Sequence, residues 1–159
     1  MSDTRRAAHP FGLGIPHRRK AALYAALGAL FGTGILWLLF HYFMQAQGEF
    51  GPQPHALEAW WLRLHGACAF VVLWFAGLLW GTHARPALLQ PRWRISGISI
   101  LALLALLAAT GYLLYYAIDD MLREIVRLAH WLTGLALAIP LLIHVIGIRR
   151  SKRQRARLQ

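Results

Sequence analysis

A chain of 159 residues that is 58% apolar, 14% charged and net +11 is too apolar to be a disordered segment. It also carries too little charge for an ordinary soluble domain, in which about 25% of residues are charged. A lone cysteine, Cys68, excludes a disulfide scaffold, and an integral membrane protein of one domain remains.

Four apolar stretches carry that reading. Each is roughly 20 residues or longer, enough to cross about 30 Å of hydrocarbon. A basic arm, 1–20, leads into the first, from about Ala21 to Phe43. Its apolar run exceeds the roughly 7–15 residues of a signal-peptide core, and no small-residue cleavage site follows, so it is expected to stay in the chain. The turn-rich stretch Gly48–Pro54 precedes the second span, from about Ala59 to Thr82. A connection from Arg85 to Arg92 precedes the third, Ile95 to Ala117. Asp119 and Asp120 mark the last connection, before the fourth span, Ile125 to Ile148, and a basic tail, 149–159. There is no internal repeat of fixed period and no low-complexity tract. The expected fold class is all-α, an integral membrane four-helix bundle over 21–148.

Charge sets the expected topology. Arg5, Arg6, Arg18, Arg19 and Lys20 lie in the arm. Arg85, Arg92 and Arg94 lie at the second connection, and Arg149, Arg150, Lys152, Arg153, Arg155 and Arg157 lie in the tail. The acids Glu49, Glu58, Asp119, Asp120 and Glu124 gather at the first and third connections. The positive-inside rule then puts both termini in the cytoplasm. Topology and attraction to anionic headgroups account for the basic tail, so the expected partner is membrane lipid and not nucleic acid.

Five of the eight histidines, His41, His65, His83, His130 and His144, fall in or at the ends of the spans; His9 and His17 lie in the arm and His55 in the first outer loop. Ionisable groups at membrane depth are costly and point to function. The second and fourth spans run in the same direction. His65 and His130 sit near the outer end of each, His83 and His144 near the inner end. At about 100° per residue the 14-residue interval from His130 to His144 nearly closes four turns, and the 18 residues from His65 to His83 close five. Each helix therefore shows both histidines on one face, roughly 21 Å apart on the fourth span and roughly 27 Å apart on the second. A helix crossing angle, or a distorted helix end near Gly81, has to absorb the difference.

Two facing imidazole pairs suit haem iron, which takes two axial ligands. A flat macrocycle also needs small neighbours. Gly97 and Gly111 on the third span repeat the 14-residue interval, and Gly28, Gly32 and Gly34 lie on the first. Close helix–helix contact is the other use of such glycines. Haem propionates need cations, and Arg63 and Arg127 lie close to His65 and His130 on a side otherwise poor in Lys and Arg; Arg123 lies just outside, and at the inner end Arg85, Arg92, Arg94 and Arg149 are available, although topology and snorkelling suffice to explain those. Trp37, Trp60, Trp61, Trp80, Trp93 and Trp131, with Tyr115 and Tyr116, read as an interfacial belt, Cys68 as a small core residue, and His41 as an interface residue in preference to a quinone contact or an alternative ligand. No Cys-x-x-Cys-His motif supports covalent haem, and no phosphate loop or dinucleotide fingerprint is present.

His65-Gly66, then His83, Ser96-Gly97, Thr110-Gly111-Tyr112-Leu113-Leu114-Tyr115-Tyr116, His130-Trp131 and His144, over roughly residues 20–150, resemble the small bacterial di-haem membrane cytochromes b. That group includes the cytochrome b subunits of membrane-bound hydrogenases and formate dehydrogenases. The resemblance implies a four-helix bundle with two b haems, an outer one on His65 and His130 and an inner one on His83 and His144. It also implies electron relay in the bacterial inner membrane, to or from quinone or a redox partner protein, within an oxidoreductase complex rather than by an enzyme on its own. A single haem is expected if His83 is not a ligand. The alternative is a haem-free four-span scaffold, assembly factor or small transporter subunit.

Overall fold

A computed structural model describes residues 16–49, 51–88, 94–116 and 118–157. His9, Arg5, Arg6, Arg92 and Trp93, singled out above, lie outside the described residues. Helix α1 runs His17–Phe43, α2 Ala56–Leu79, α4 Arg94–Tyr116 and α5 Asp120–Arg157. A four-residue helix, α3, covers Arg85–Leu88 in the second connection. Among the described residues, four helical segments are long and apolar enough to cross a membrane: His17–Phe43, Ala56–Ala84, Ile95–Tyr116 and Asp120–Ser151.

Local chemistry explains most of the helix ends. The side chain of His55 accepts the backbone N–H of Leu57 at 3.1 Å, and Glu58 adds an acid to the first turn of α2; both complement the unpaired donors and positive dipole end there. Asp119 caps α5 in the same way, its carboxylate accepting from Leu122 N at 2.7 Å. At the far end α5 runs past the expected Ile148 to Arg157. Hydropathy ends the span there, but Arg, Lys and Gln are good helix formers and their cations suit a helix C-terminus. Pro140, inside α5, has no N–H to donate to the preceding turn.

Two elements were not anticipated. The segment read as a turn-rich loop forms a short antiparallel hairpin, β1 (Ala46–Gly48) with β2 (Gly51–Gln53), pairing Ala46 with Gln53 and Gly48 with Gly51. Three-residue strands are too short to show an alternating pattern, and Pro52 reads as a breaker although a sheet edge tolerates it. Gly51 takes φ 112°, a conformation open to glycine. The second surprise is a π-helical turn over Trp80–Ala84, closed by the bond from Arg85 N–H to Trp80 O. It contains Gly81, where a distorted helix end was expected.

The helices pack as two hairpins. α1 lies along α2 and α4 along α5, while close backbone contact between the hairpins is sparse. Side chains bridge that space: His65 faces His130 and His83 faces His144, so α2 and α5 run parallel. Only Phe40, Val72, Val126, Leu137, Thr110 and Gly147 are buried among the described residues, whereas Phe70 is 78% exposed, Trp74 61% and Ile139 63%. Large apolar side chains around the whole circumference suit a hydrocarbon solvent, which hides them at no cost.

Candidate functional site: two imidazole pairs between helical hairpins

The His65 and His130 ring centres lie 6.2 Å apart with planes at 84°, and those of His83 and His144 lie 6.3 Å apart with planes at 83°. The pairing expected from spacing is thus the pairing of the rings. The 18-residue interval on α2 is reconciled with the 14 on α5 partly by the π-helical turn Trp80–Ala84, in which His83 sits. An i→i+5 turn takes up one residue more than an α turn, which shortens the axial reach by about 1.5 Å. Helix crossing and side-chain reach supply the remainder.

The neighbouring helix of each hairpin orients three of these rings. His65 Nδ1 lies 3.0 Å from Leu30 O and 3.3 Å from Thr33 Oγ1. A carbonyl can only accept, so Nδ1 carries the hydrogen and Nε2 keeps its lone pair. His130 Nδ1 lies 2.9 Å from Thr110 Oγ1, whose hydroxyl is itself 2.8 Å from Leu106 O. Thr110 gives its one hydrogen to that carbonyl and accepts from His130, which again leaves Nε2 bare. His144 Nδ1 pairs with Ser96 Oγ at 3.0 Å. His83 Nδ1 is buried with no hydrogen-bond partner. None of the four Nε2 atoms is hydrogen-bonded among the described residues.

Glycines give the rings room. A Cβ on Gly34 would stand 3.0 Å from His65 Cε1, and one on Gly111 would stand 3.3 Å from His130 Cε1. One at Gly97, Gly28 or Gly32 would meet nothing within 4 Å. Thr33 and Gly34 on α1 therefore do for His65 what Thr110 and Gly111 on α4 do for His130: both threonines bond back to their own helix and each following glycine clears the ring.

The arginines fare differently. Arg63 is two residues, about 200° of helix rotation, from His65, and its guanidinium lies over Trp60, 5.1 Å from the ring centre; it is not brought to the histidine pair. Arg127 does reach across the hairpins. It donates to His41 Nε2 at 2.8 Å and pairs with Glu124 on its own helix. His41, having accepted at Nε2, donates from Nδ1 to Glu58 at 2.7 Å. The result is a polar clasp, Glu58–His41–Arg127–Glu124, linking α2, α1 and α5. His41 also stacks on Trp37, ring centres 4.7 Å apart. With both nitrogens engaged, His41 has no lone pair left for a metal, and its role is to join the hairpins. Sequence reasoning did not single out Thr33; it named Ser96 and Thr110 only within the motifs of the resemblance, and Glu58 and Glu124 only as acids that set the topology, with no role beside the histidines. The recurring Thr-Gly and Ser-Gly pairs were the available signal.

Chemically, each pair offers two imidazoles. On opposite sides of one first-row metal ion their ring centres would stand about 6.2 Å apart, taking about 2.0 Å per metal–nitrogen bond and roughly 1.1 Å from ring atom to ring centre. Edge-to-face aromatic contacts also span about 4.5–7 Å; the tethered Nδ1 atoms and unbonded Nε2 atoms are what a ligand pair adds. No three His, Cys, Asp or Glu side chains converge among the described residues to hold a metal ion. Two donors per site therefore suit a metal whose other ligands come from a macrocycle. No family model, curated protein or solved structure matches this chain.

Proposed function

We propose that this chain is a four-span membrane cytochrome b that holds two non-covalent haems between its hairpins, one on His65 and His130 and one on His83 and His144. It relays electrons between them in the bacterial inner membrane. The observation that carries the reading is the repeated 6.2–6.3 Å imidazole pairing, which fits two axial ligands with the metal between them. Sparse backbone packing between the hairpins suits a flat group there.

Bound haem supplies one-electron chemistry between ferric and ferrous iron. The chain's part is to bind and to tune. Thr33, Leu30, Thr110 and Ser96 hold Nδ1, which aims Nε2 and raises its basicity. Gly34 and Gly111 keep the rings unobstructed, and the apolar surround keeps water out. Both termini lie in the cytoplasm in this reading, so the His65–His130 pair is the outer one. Quinone or a redox partner protein exchanges electrons with the chain at one face.

The test is an optical spectrum of detergent-purified protein, oxidised and dithionite-reduced, with haem quantified per chain. Sharp reduced α and β bands and about two haems per chain are expected. One haem, lost on His130→Ala and kept on His144→Ala, would restrict the function to the His65–His130 site. No haem after expression with adequate haem supply would overturn the reading in favour of a scaffold, assembly or transport role.

A further inference from the structure

The Glu58–His41–Arg127–Glu124 clasp joins the hairpins through one protonation state of one ring. The bonds that hold His65, His130 and His144 each stay within a hairpin, whereas the 2.8 Å bond from Arg127 to His41 Nε2 crosses from α5 to α1. A guanidinium can only donate, so that bond needs a bare Nε2, and the 2.7 Å contact with Glu58 needs a hydrogen on Nδ1. Both hold together only while the imidazole is neutral. A proton on Nε2 would set a donor and a positive charge against the guanidinium, so the cross-link becomes a repulsion. The same proton turns the Glu58 contact into a full ion pair. With His41 neutral, the clasp has two carboxylates to one guanidinium, so it can take up one more positive charge. The charges then divide along the hairpins, with His41 on Glu58 between α1 and α2 and Arg127 on Glu124 within α5.

Water can reach this cluster. The side chains of His41 and Glu58 are 24% and 13% exposed, and an open cleft of about 340 Å³, lined by Trp37, Pro54, His55 and Leu62, borders Glu58. The other titratable neighbours are Tyr42, edge-on to His41 at 4.8 Å, and His55, which packs on Phe40 and accepts from Leu57 N. Arg127 is one helical turn before His130 and Glu58 two turns before His65, so the clasp closes the end of the bundle that carries this pair. His83 and His144 lie at the other end, 18 and 14 residues further along their helices.

We infer that His41 is a pH-released latch: neutral, it ties the hairpins together at the His65–His130 end, and protonated, it lets them part there. The latch stands without haem. Its consequence, faster loss of haem from the His65–His130 site in acid, rests on the haem reading above.

The experiment places spin labels at Phe43→Cys and Met121→Cys, exposed positions at the clasp ends of α1 and α5, in full-length Cys68→Ser protein held without haem in lipid nanodiscs. The label distance is compared at about pH 8 and about pH 5, the range over which histidine changes charge. It should lengthen in acid. His41→Gln keeps a carbonyl for Arg127 and an N–H for Glu58 but takes no proton, so its distance should stay short at both pH values. Arg127→Leu removes the cross-link, so its distance should be long at both. Haem transfer to apomyoglobin is then followed in the His144→Ala background, which leaves the His65–His130 site. Acid should speed that transfer about tenfold more than it does when His41→Gln is added, the scale of a lost charge-assisted bond. A wild-type distance that ignores pH, or the same lengthening in His41→Gln, overturns the latch. Should His41→Gln fail to fold, Arg127→Leu decides, because an acid lengthening as large as in the wild type overturns the latch. Lengthening with equal acid acceleration of haem transfer in both backgrounds keeps the latch and overturns its consequence for haem. Failure of the wild-type chain to bind haem overturns the haem reading, and the distances still decide the latch.

Discussion

At one end of the bundle, His65 and His130 each lean on the helix packed beside them, with Nδ1 on a carbonyl or a threonine and Cε1 against a glycine. At the other end, His144 leans on Ser96, but His83 sits in a π-helical turn with Nδ1 unpartnered. The spacings of the two pairs are nearly the same, 6.2 and 6.3 Å. Equal spacing therefore does not mean equal preorganisation. Three of the four rings are held by a Ser or Thr hydroxyl of a Ser-Gly or Thr-Gly pair, and His83 has no such partner among the described residues. The π-helical turn helps bring His83 into register, but it supplies no acceptor for the ring. If this contrast is functional, the His65–His130 site binds more tightly and is the less sensitive to nearby substitution.

The largest expected effects separate the two sites outright. His130→Ala should remove one haem and spare the other, and His144→Ala should do the converse, read as haem per chain and as the number of reductive transitions. Loss of both haems from either variant would mean that the sites form only together. Gly34→Ala comes next. Its Cβ would stand 3.0 Å from His65 Cε1, tighter than nine in ten such contacts, so the ring must give by a few tenths of an ångström; overpacking of this kind costs about 1–3 kcal/mol. A fall of roughly tenfold in haem affinity at the His65–His130 site is expected, measured by titration in the His144→Ala background. Thr110→Val should have a similar effect, about tenfold, the low end of the 10–100-fold loss in metal affinity that follows removal of a partner orienting a ligand. Matching losses for Thr110→Val at one site and Ser96→Ala at the other would erase the proposed contrast in preorganisation.

Much of this arrangement was legible in the sequence, because hydropathy and helical periodicity are local signals. The four spans, the parallel run of α2 and α5, and the pairing of His65 with His130 and His83 with His144 follow from run lengths, reversals and intervals of 14 and 18 residues. The histidine anchors were not legible. A threonine in an apolar helix reads as satisfied by its own backbone, as Thr33 and Thr110 partly are, and nothing local shows that its oxygen also receives a ring nitrogen 32 or 20 residues away. The clasp was hidden for the same reason: His41 and Arg127 are separated by 86 positions, and Arg63, equally close to a histidine in sequence, turns to Trp60 instead.

The smallest effect bears most directly on how the glycines are read. Gly97 and Gly111 keep the same 14-residue interval as His144 and His130, so spacing alone gives them the same role. Their surroundings differ. A Cβ at Gly111 meets the His130 ring at 3.3 Å, and one at Gly97 meets nothing within 4 Å. Gly111→Ala should therefore push His130 by a few tenths of an ångström, with a several-fold loss of haem at that site. Gly97→Ala has no protein atom to displace, so any loss it causes must come from the bound group itself. In the haem-free protein it should raise helix stability slightly, by about 0.5–1 kcal/mol, since alanine is the better helix former. Unchanged haem affinity at the His83–His144 site in Gly97→Ala, within about twofold, would leave Gly97 as unneeded space. A tenfold loss there, with normal stability of the haem-free chain, would place the edge of the macrocycle against α4 at residue 97, and the 14-residue repeat would then mark the cofactor at both ends of the bundle.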